Sequence, residues 1–153
     1  MRYSYNPDNA ILDQKEESLS CILRIAGQTL DVDSLLLRTS LPVDRTWKKG
    51  EPRILKNRYH TDSGATFVVS EADLDDFAGQ LADASAFLAL HAPMLATLTS
   101  FPGVQEACLD FAVALADGFV SQTSYMPARF VQAAGMAGIG IVISHYACSE
   151  DDA

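Results

Sequence analysis

A chain of 153 residues that is 48% hydrophobic can bury the core of one independent domain. Its 20 acidic against 11 basic side chains, a net charge of −9, exclude general nucleic-acid binding, which needs positive surface to neutralise phosphates. No apolar run reaches the roughly 18 residues of a membrane span, and residues 1–17 lack a basic start followed by an apolar run, so a cytoplasmic bacterial protein without a membrane partner is expected.

Residues 1–17 read as a polar N-terminal segment with a turn at Asn6-Pro7-Asp8-Asn9. It either lacks regular structure or adds a short strand at Tyr3 and Tyr5. Next, Leu19, Cys21, Leu23 and Ile25 alternate with Ser20, Ile22, Arg24 and Ala26, the period of a strand, and Gly27 ends it. Asp31 or Asp33 then caps a short helix, in which Leu35, Leu36 and Leu37 partly face the core, and Pro42 forbids its continuation. The Trp47 segment is expected to be an extended segment or an edge strand. Residues 54–65 read as a polar, basic loop and 66–69 as a strand.

Ser70 and Asp73 have capping-box spacing, which predicts the start of the longest helix. Leu74, Phe77, Leu81, Ala84 and Leu88 give it one apolar face, and Pro93 is expected to break or kink it. Phe101-Pro102-Gly103 stops the helical pattern. Residues 104–116 alternate as a strand, with Ala107, Leu109, Phe111, Val113 and Leu115 on one face. Asp117-Gly118 is a turn signal flanked by strand residues. Ser124 is the expected cap of a helix over 126–136, and residues 139–146 form the last strand. The tail 148–153 is acidic and expected to be mobile. Residues 18–147 thus form one α+β domain, a mainly antiparallel sheet with helices on one face. Two strand–helix–strand units, over 19–49 and 106–146, surround a long central helix.

Charge is unevenly placed along this domain. Arg45, Lys48, Lys49, Arg53, Lys56 and Arg58 are opposed only by Glu51, so residues 45–58 carry +5 and the rest of the chain −14. Like charges at contact distance repel by about 1 kcal/mol in water. The cluster therefore needs solvent, the chain's own carboxylates, or an anion. Trp47, the only Trp, adds a flat apolar ring at its centre.

The elements Leu30-Asp31-x-Asp33-x-Leu35, Leu41-Pro42 and Thr46-Trp47-Lys48-Lys49-Gly50-Glu51-Pro52 resemble a bacterial family known as domain of unknown function 4279. The resemblance covers about residues 18–147 and extends to Ser124-Tyr125-Met126-Pro127 and the last apolar strand. It implies the same order of elements and carries no catalytic residue to this chain. Val32 stands where the family often has Pro, and Thr39-Ser40 where it has Gly.

Catalytic signatures are absent. His60, His91 and His145 have no partner at metal-ligand spacing, although His145 stands beside Ser144 and Tyr146. Cys21 and Cys108 lie in apolar strand patterns, and the third cysteine, Cys148, in the tail. There is no nucleophile elbow, and Gly135, Gly138 and Gly140 follow a helix rather than opening one, so no dinucleotide fingerprint is present. No metal or cofactor is expected.

Arg24 and Asp110 share the second face of their strands and are expected to pair if those strands are neighbours. They would form the polar floor of a cleft walled by Trp47, Lys48, Lys49 and Arg53. Two function classes remain, the first suggested by the small, acidic composition without catalytic motifs and the second by this cleft. The first is a non-enzymatic protein-binding domain, of the immunity type that neutralises a basic partner by complementary charge. The alternative is a binder of, or enzyme acting on, a small anionic ligand at the Trp47 cleft.

Overall fold

Both faces of the segment 21–27 are apolar except at Arg24, and a strand buried on both faces belongs at the centre of a sheet. The computed structural model of the protein describes residues 19–147 and places this strand, β1 (Cys21–Gly27), third in a five-stranded sheet. The Asn6–Asn9 turn, the Tyr3/Tyr5 strand, Cys148 and the acidic tail lie outside the described residues. The remaining elements are α1 (Val32–Leu36), β2 (Val43–Trp47), β3 (Ser63–Ser70), α2 (Phe77–Thr99), β4 (Glu106–Leu115), α3 (Ala128–Met136) and β5 (Gly140–Ala147).

The strand order is β2-β3-β1-β4-β5, antiparallel throughout except for the parallel pair β4–β5. The fold is α+β, as the residue pattern predicts. The two strand–helix–strand units differ in how they close. In the first, β3 separates β1 from β2. In the second, β4 and β5 are direct neighbours.

The helices share one face of the sheet. Cys21, Leu23, Ile25, Ala65, Phe67, Leu109, Phe111 and Val113 point into a core with Val32 and Leu35 of α1, Phe87, Leu88, Leu95 and Leu98 of α2, and Phe130 and Ala134 of α3. Phe111 is its hub, edge-on to Phe77 at 5.5 Å and to Phe130 at 6.0 Å. Burying each such side chain contributes about 1.5–3 kcal/mol. The opposite face carries Arg24, Thr66, Cys108, Asp110 and Ser144, by the alternation of the strands.

Several predicted boundaries move. Asp31, not Asp33, caps α1, its Oδ1 accepting from the Ser34 N–H at 3.2 Å. Leu37 is exposed, because α1 ends at Leu36. α2 begins at Phe77 behind Asp76, whose carboxylate accepts from the Gly79 N–H at 2.9 Å. Ser70 is instead the last residue of β3, and its hydroxyl donates to Asp83. The capping-box spacing was occupied by a strand end.

Pro93 does not break α2, which runs unbroken to Thr99. The backbone bond it forgoes is that to the Ala89 carbonyl, and Pro93 and Ala89 both lie on the exposed side of the helix. α2 is also long and apolar enough to cross a membrane by length and composition, but its large side chains Phe87, Leu88, Leu95 and Leu98 are buried against the sheet.

Asp117-Gly118 makes a turn, with Gly118 at φ 75°, but no hairpin follows. Phe119 and Val120 are exposed, and the chain crosses through α3 to reach β5 parallel to β4. Gln122 takes the place of a pairing strand. Its amide accepts from Ala116 N–H at 2.8 Å and donates to Ala114 C=O at 2.9 Å. Pro127, not Ser124, stands at the N-cap of α3.

Candidate functional site

The segment read as a loop is a hairpin extension of β2 and β3. Gly50 N–H donates to His60 C=O at 2.8 Å, His60 N–H to Glu51 C=O at 2.9 Å, and Arg53 N–H to Arg58 C=O at 2.8 Å. Gly50 at φ 87° and Asn57 at φ 63° supply the left-handed backbone that the turns require. These bonds fold Arg53 and His60 back beside Trp47 at the end of β2.

Trp47 is nearly buried, 8% exposed, and its placement is over-determined. Its Nε1 donates to Asp62 Oδ1 at 2.8 Å. His60 stacks on it, ring centres 5.9 Å apart and planes at 27°. The Arg24 guanidinium lies over the ring at 5.6 Å from its centre, within cation–π range. Gly64 faces Trp47 across the β2–β3 ladder, and any Cβ there would overlap the indole. The indole therefore lies flat on a strand that has no side chain at that point.

A cleft of about 110 Å³ opens beside this ring. Arg24 of β1, Arg45 of β2 and Arg53 of the hairpin line it, with Trp47, His60, Thr61, Asp62 and Thr66. Thr66 forms part of the lining with its hydroxyl directed to Asp44 at 2.9 Å. Among the described residues, three guanidinium groups and one carboxylate, that of Asp62, line the cleft.

Of the residues singled out from sequence, Trp47, Arg24 and Arg53 meet in this cleft. Lys48 does not line it. Its Nζ turns away to Asp33 of α1 at 2.7 Å, and that hydrogen bond raises its pKa above the ordinary ammonium value. Lys49 is exposed and does not line the cleft, though its backbone N–H is held by Ser63 Oγ at 2.9 Å.

The expected Arg24–Asp110 pair does not form. β1 and β4 are neighbours, but their register sets Arg24 opposite Cys108 and Asp110 opposite Ile22. Arg24 instead meets Glu106 at 3.9 Å, and Asp110 accepts from Ser144 Oγ at 2.8 Å. Asp110 therefore belongs to the β4–β5 side of the open face, away from the cleft lining.

Sequence reasoning missed Arg45, His60, Thr61, Asp62 and Thr66 as lining residues. The missed signal was strand pairing. With Trp47 opposite Gly64 in a hairpin, residues just before Gly64 return to the Trp. Among the histidines it is His60, not His145, that joins the cluster.

Neither of the described thiols is a ready nucleophile. Burial pushes Cys21 well above the ordinary thiol value, and burial with the nearby Glu106 carboxylate pushes Cys108 up to about 12. Among the described residues no group of three or more His, Cys, Asp and Glu side chains is placed to hold a metal ion. Compared with family models, curated proteins and solved structures, the chain shows no match.

Proposed function

We propose that the chain is a binding domain that takes an anionic group of a small ligand, a carboxylate or phosphate, in the Trp47 cleft. The convergence of Arg24, Arg45 and Arg53 on one cleft carries this reading. A guanidinium presents a planar fork of donors that matches both anions, and three such groups on separate strands and loops can address several oxygens at once. Trp47 gives the cleft a rigid apolar wall. The volume, about 110 Å³, suits one anionic group and falls short of the roughly 300 Å³ at which drug-sized pockets begin. The remainder of the ligand would therefore extend from the cleft onto the open sheet face.

Thermal unfolding with inorganic phosphate, acetate and citrate tests this. Occupation at about 100 times the dissociation constant adds roughly 2.7 kcal/mol of stability. The expected result is a rise in Tm that is lost in Arg53→Met and reduced in Arg24→Met. No rise at tens of millimolar anion, or an equal rise in both variants, would reject the cleft as the site.

A second reading keeps one specific observation in its favour. The connection between β3 and α2 exposes Glu71, Asp73, Asp75 and Asp76 with no basic residue among them. That surface suits a basic protein partner, as an immunity-type domain would use. Salt-sensitive capture of a protein by wild type that is abolished by neutralising these four carboxylates, and is indifferent to Arg53→Met, would favour it over the cleft.

A further inference from the structure

The open face of the sheet is buried as a covered face would be. By alternation Ile22 of β1 and Cys108 and Ala112 of β4 point to this face, away from the helices. An antiparallel sheet with one face in water keeps part of each such side chain exposed. Ile22 and Ala112 are 1% exposed and Cys108 4%, in a single chain, and none of them belongs to the helix-side core. The 48–62 hairpin stands two rungs away from Ile22, beside Trp47. Leu74 runs alongside β4, its carbonyl accepting from the Ala114 N–H at 3.0 Å, and so extends the sheet rather than covering it. Arg45, Asp110 and Tyr146 point to the same face, and each has a partner.

We infer that this face is a docking surface within the chain, that its occupant is residues 1–18, and that the carboxylates of that segment compete with an external anion for the arginines of the Trp47 cleft. Because the burial is that of one chain, neither a second copy nor another protein supplies it. Of the two segments outside the described residues, the tail 148–153 has six residues, three of them acidic, and follows β5, two strands away from β1. Residues 1–18 enter at β1 itself, the middle strand. At about 3.3 Å per residue they reach roughly 60 Å, against about 19 Å between the outer strands of a five-stranded sheet. Tyr3, Tyr5, Ile11 and Leu12 supply the apolar side chains that a cover over Ile22 and Ala112 requires.

Arg24 and Arg45 stand in one rung with Thr66 between them, and Arg53 lines the same cleft. Residues 1–18 carry Asp8, Asp13, Glu16 and Glu17 against Arg2 and Lys15, a net of −2. Arg24 lies about 13 Å along β1 from Ser20, and Asp13, seven residues before Ser20, has about 23 Å of chain, enough to turn back over it. A carboxylate that reaches these guanidinium groups makes the same charge-assisted bonds as an external anion. A ligand that extends from the cleft onto the open face must displace the segment. Its apparent affinity is therefore reduced to the fraction of chains in which the segment is away. This competition rests on the anion reading of the cleft, whereas the docking does not.

Paramagnetic relaxation in the full chain tests the docking. A nitroxide on Ala10→Cys, with Cys148→Ser removing the tail thiol, should broaden the amide signals of Ile22, Arg24, Asp110 and Ala112 more than those of α2 and α3. Broadening that spares these four overturns the docking. So does broadening that arises only between spin-labelled chains and separate isotope-enriched ones, which would assign the face to a second copy. Thermal unfolding with citrate tests the competition. Asp8→Asn, Asp13→Asn, Glu16→Gln and Glu17→Gln together should lower the citrate concentration needed for a given rise in Tm about tenfold, as for a site open in roughly a tenth of the chains. An equal rise in wild type and this variant overturns the competition. No rise in either rejects the cleft reading and the competition with it, while the broadening still decides the docking.

Discussion

The Arg24 guanidinium rests over the Trp47 ring at 5.6 Å, although the two residues lie on strands that do not pair. β3 separates them, and Gly64 and Thr66 of β3 leave the space across which they meet. Arg24 is thereby held by a ring on one side and by Glu106 on the other. Trp47→Phe should keep the ring and lose the Nε1–H bond to Asp62. A loss of about 1 kcal/mol in urea unfolding, followed by circular dichroism, is expected. Trp47→Ala should cost about 3–5 kcal/mol in the same measurement.

Gly64→Ala tests the same packing from below. The added methyl would overlap the indole and stand 2.6 Å from the Ile25 carbonyl oxygen. Trp47 must shift, so its fluorescence maximum should move to longer wavelength as it meets water. The expected destabilisation is about 1–3 kcal/mol, typical of overpacking. An unchanged emission spectrum would show that the ring does not lie on this strand.

Pro93→Ala should stabilise the chain. The new N–H can donate to the Ala89 carbonyl inside an otherwise continuous helix. Ala exceeds Pro by about 3 kcal/mol in an unstrained helix interior, and a gain of about 1–3 kcal/mol is expected. A loss of stability in chemical denaturation would mean that the proline has a packing role.

Two exposed carboxylate contacts set the pH dependence around α1. The Ser34 hydroxyl and N–H hold the Asp31 pKa below its ordinary value. Its contribution to stability is therefore present above the unfolded-state pKa and disappears as pH falls through the folded one. The stability difference between wild type and Asp31→Asn should shrink in acid. Lys48 runs the opposite way. Asp33 raises its pKa, so its contribution is full below the unfolded value and is lost as pH rises through the folded one. Lys48→Gln should differ from wild type at neutral pH and converge on it in strong alkali.

Alkylation at pH 8 should leave Cys21 and Cys108 unmodified in the native protein, because both are buried and their thiolates are disfavoured. Peptide mapping after denaturation should find both labelled. Labelling of Cys108 in the native state would show that the open face admits reagent and that the strand environment is looser than described.

Local pattern determined much of this protein. Alternation at Cys21–Ile25 and Ala107–Val113 specified strands and the core-facing sides, because a strand's side chains alternate wherever it sits. Three- and four-residue spacing specified the face of α2 that carries Ala84 and Leu88. The position of the basic cluster and the single Trp was also legible.

Register and pairing were not. Whether Arg24 meets Asp110 or Glu106 depends on a shift of a few residues between β1 and β4, and alternation is unchanged by a shift of two. Ser70 and Asp73 have the spacing of a helix cap, yet β3 extends to Ser70 because Cys21 pairs with it. Pro93 stays inside α2 because its side of the helix faces water, which a linear pattern does not reveal. His60 and Asp62 reach Trp47 only because the 48–62 hairpin closes on itself. The composition of the cleft was written locally, but its membership was decided by which strands lie side by side.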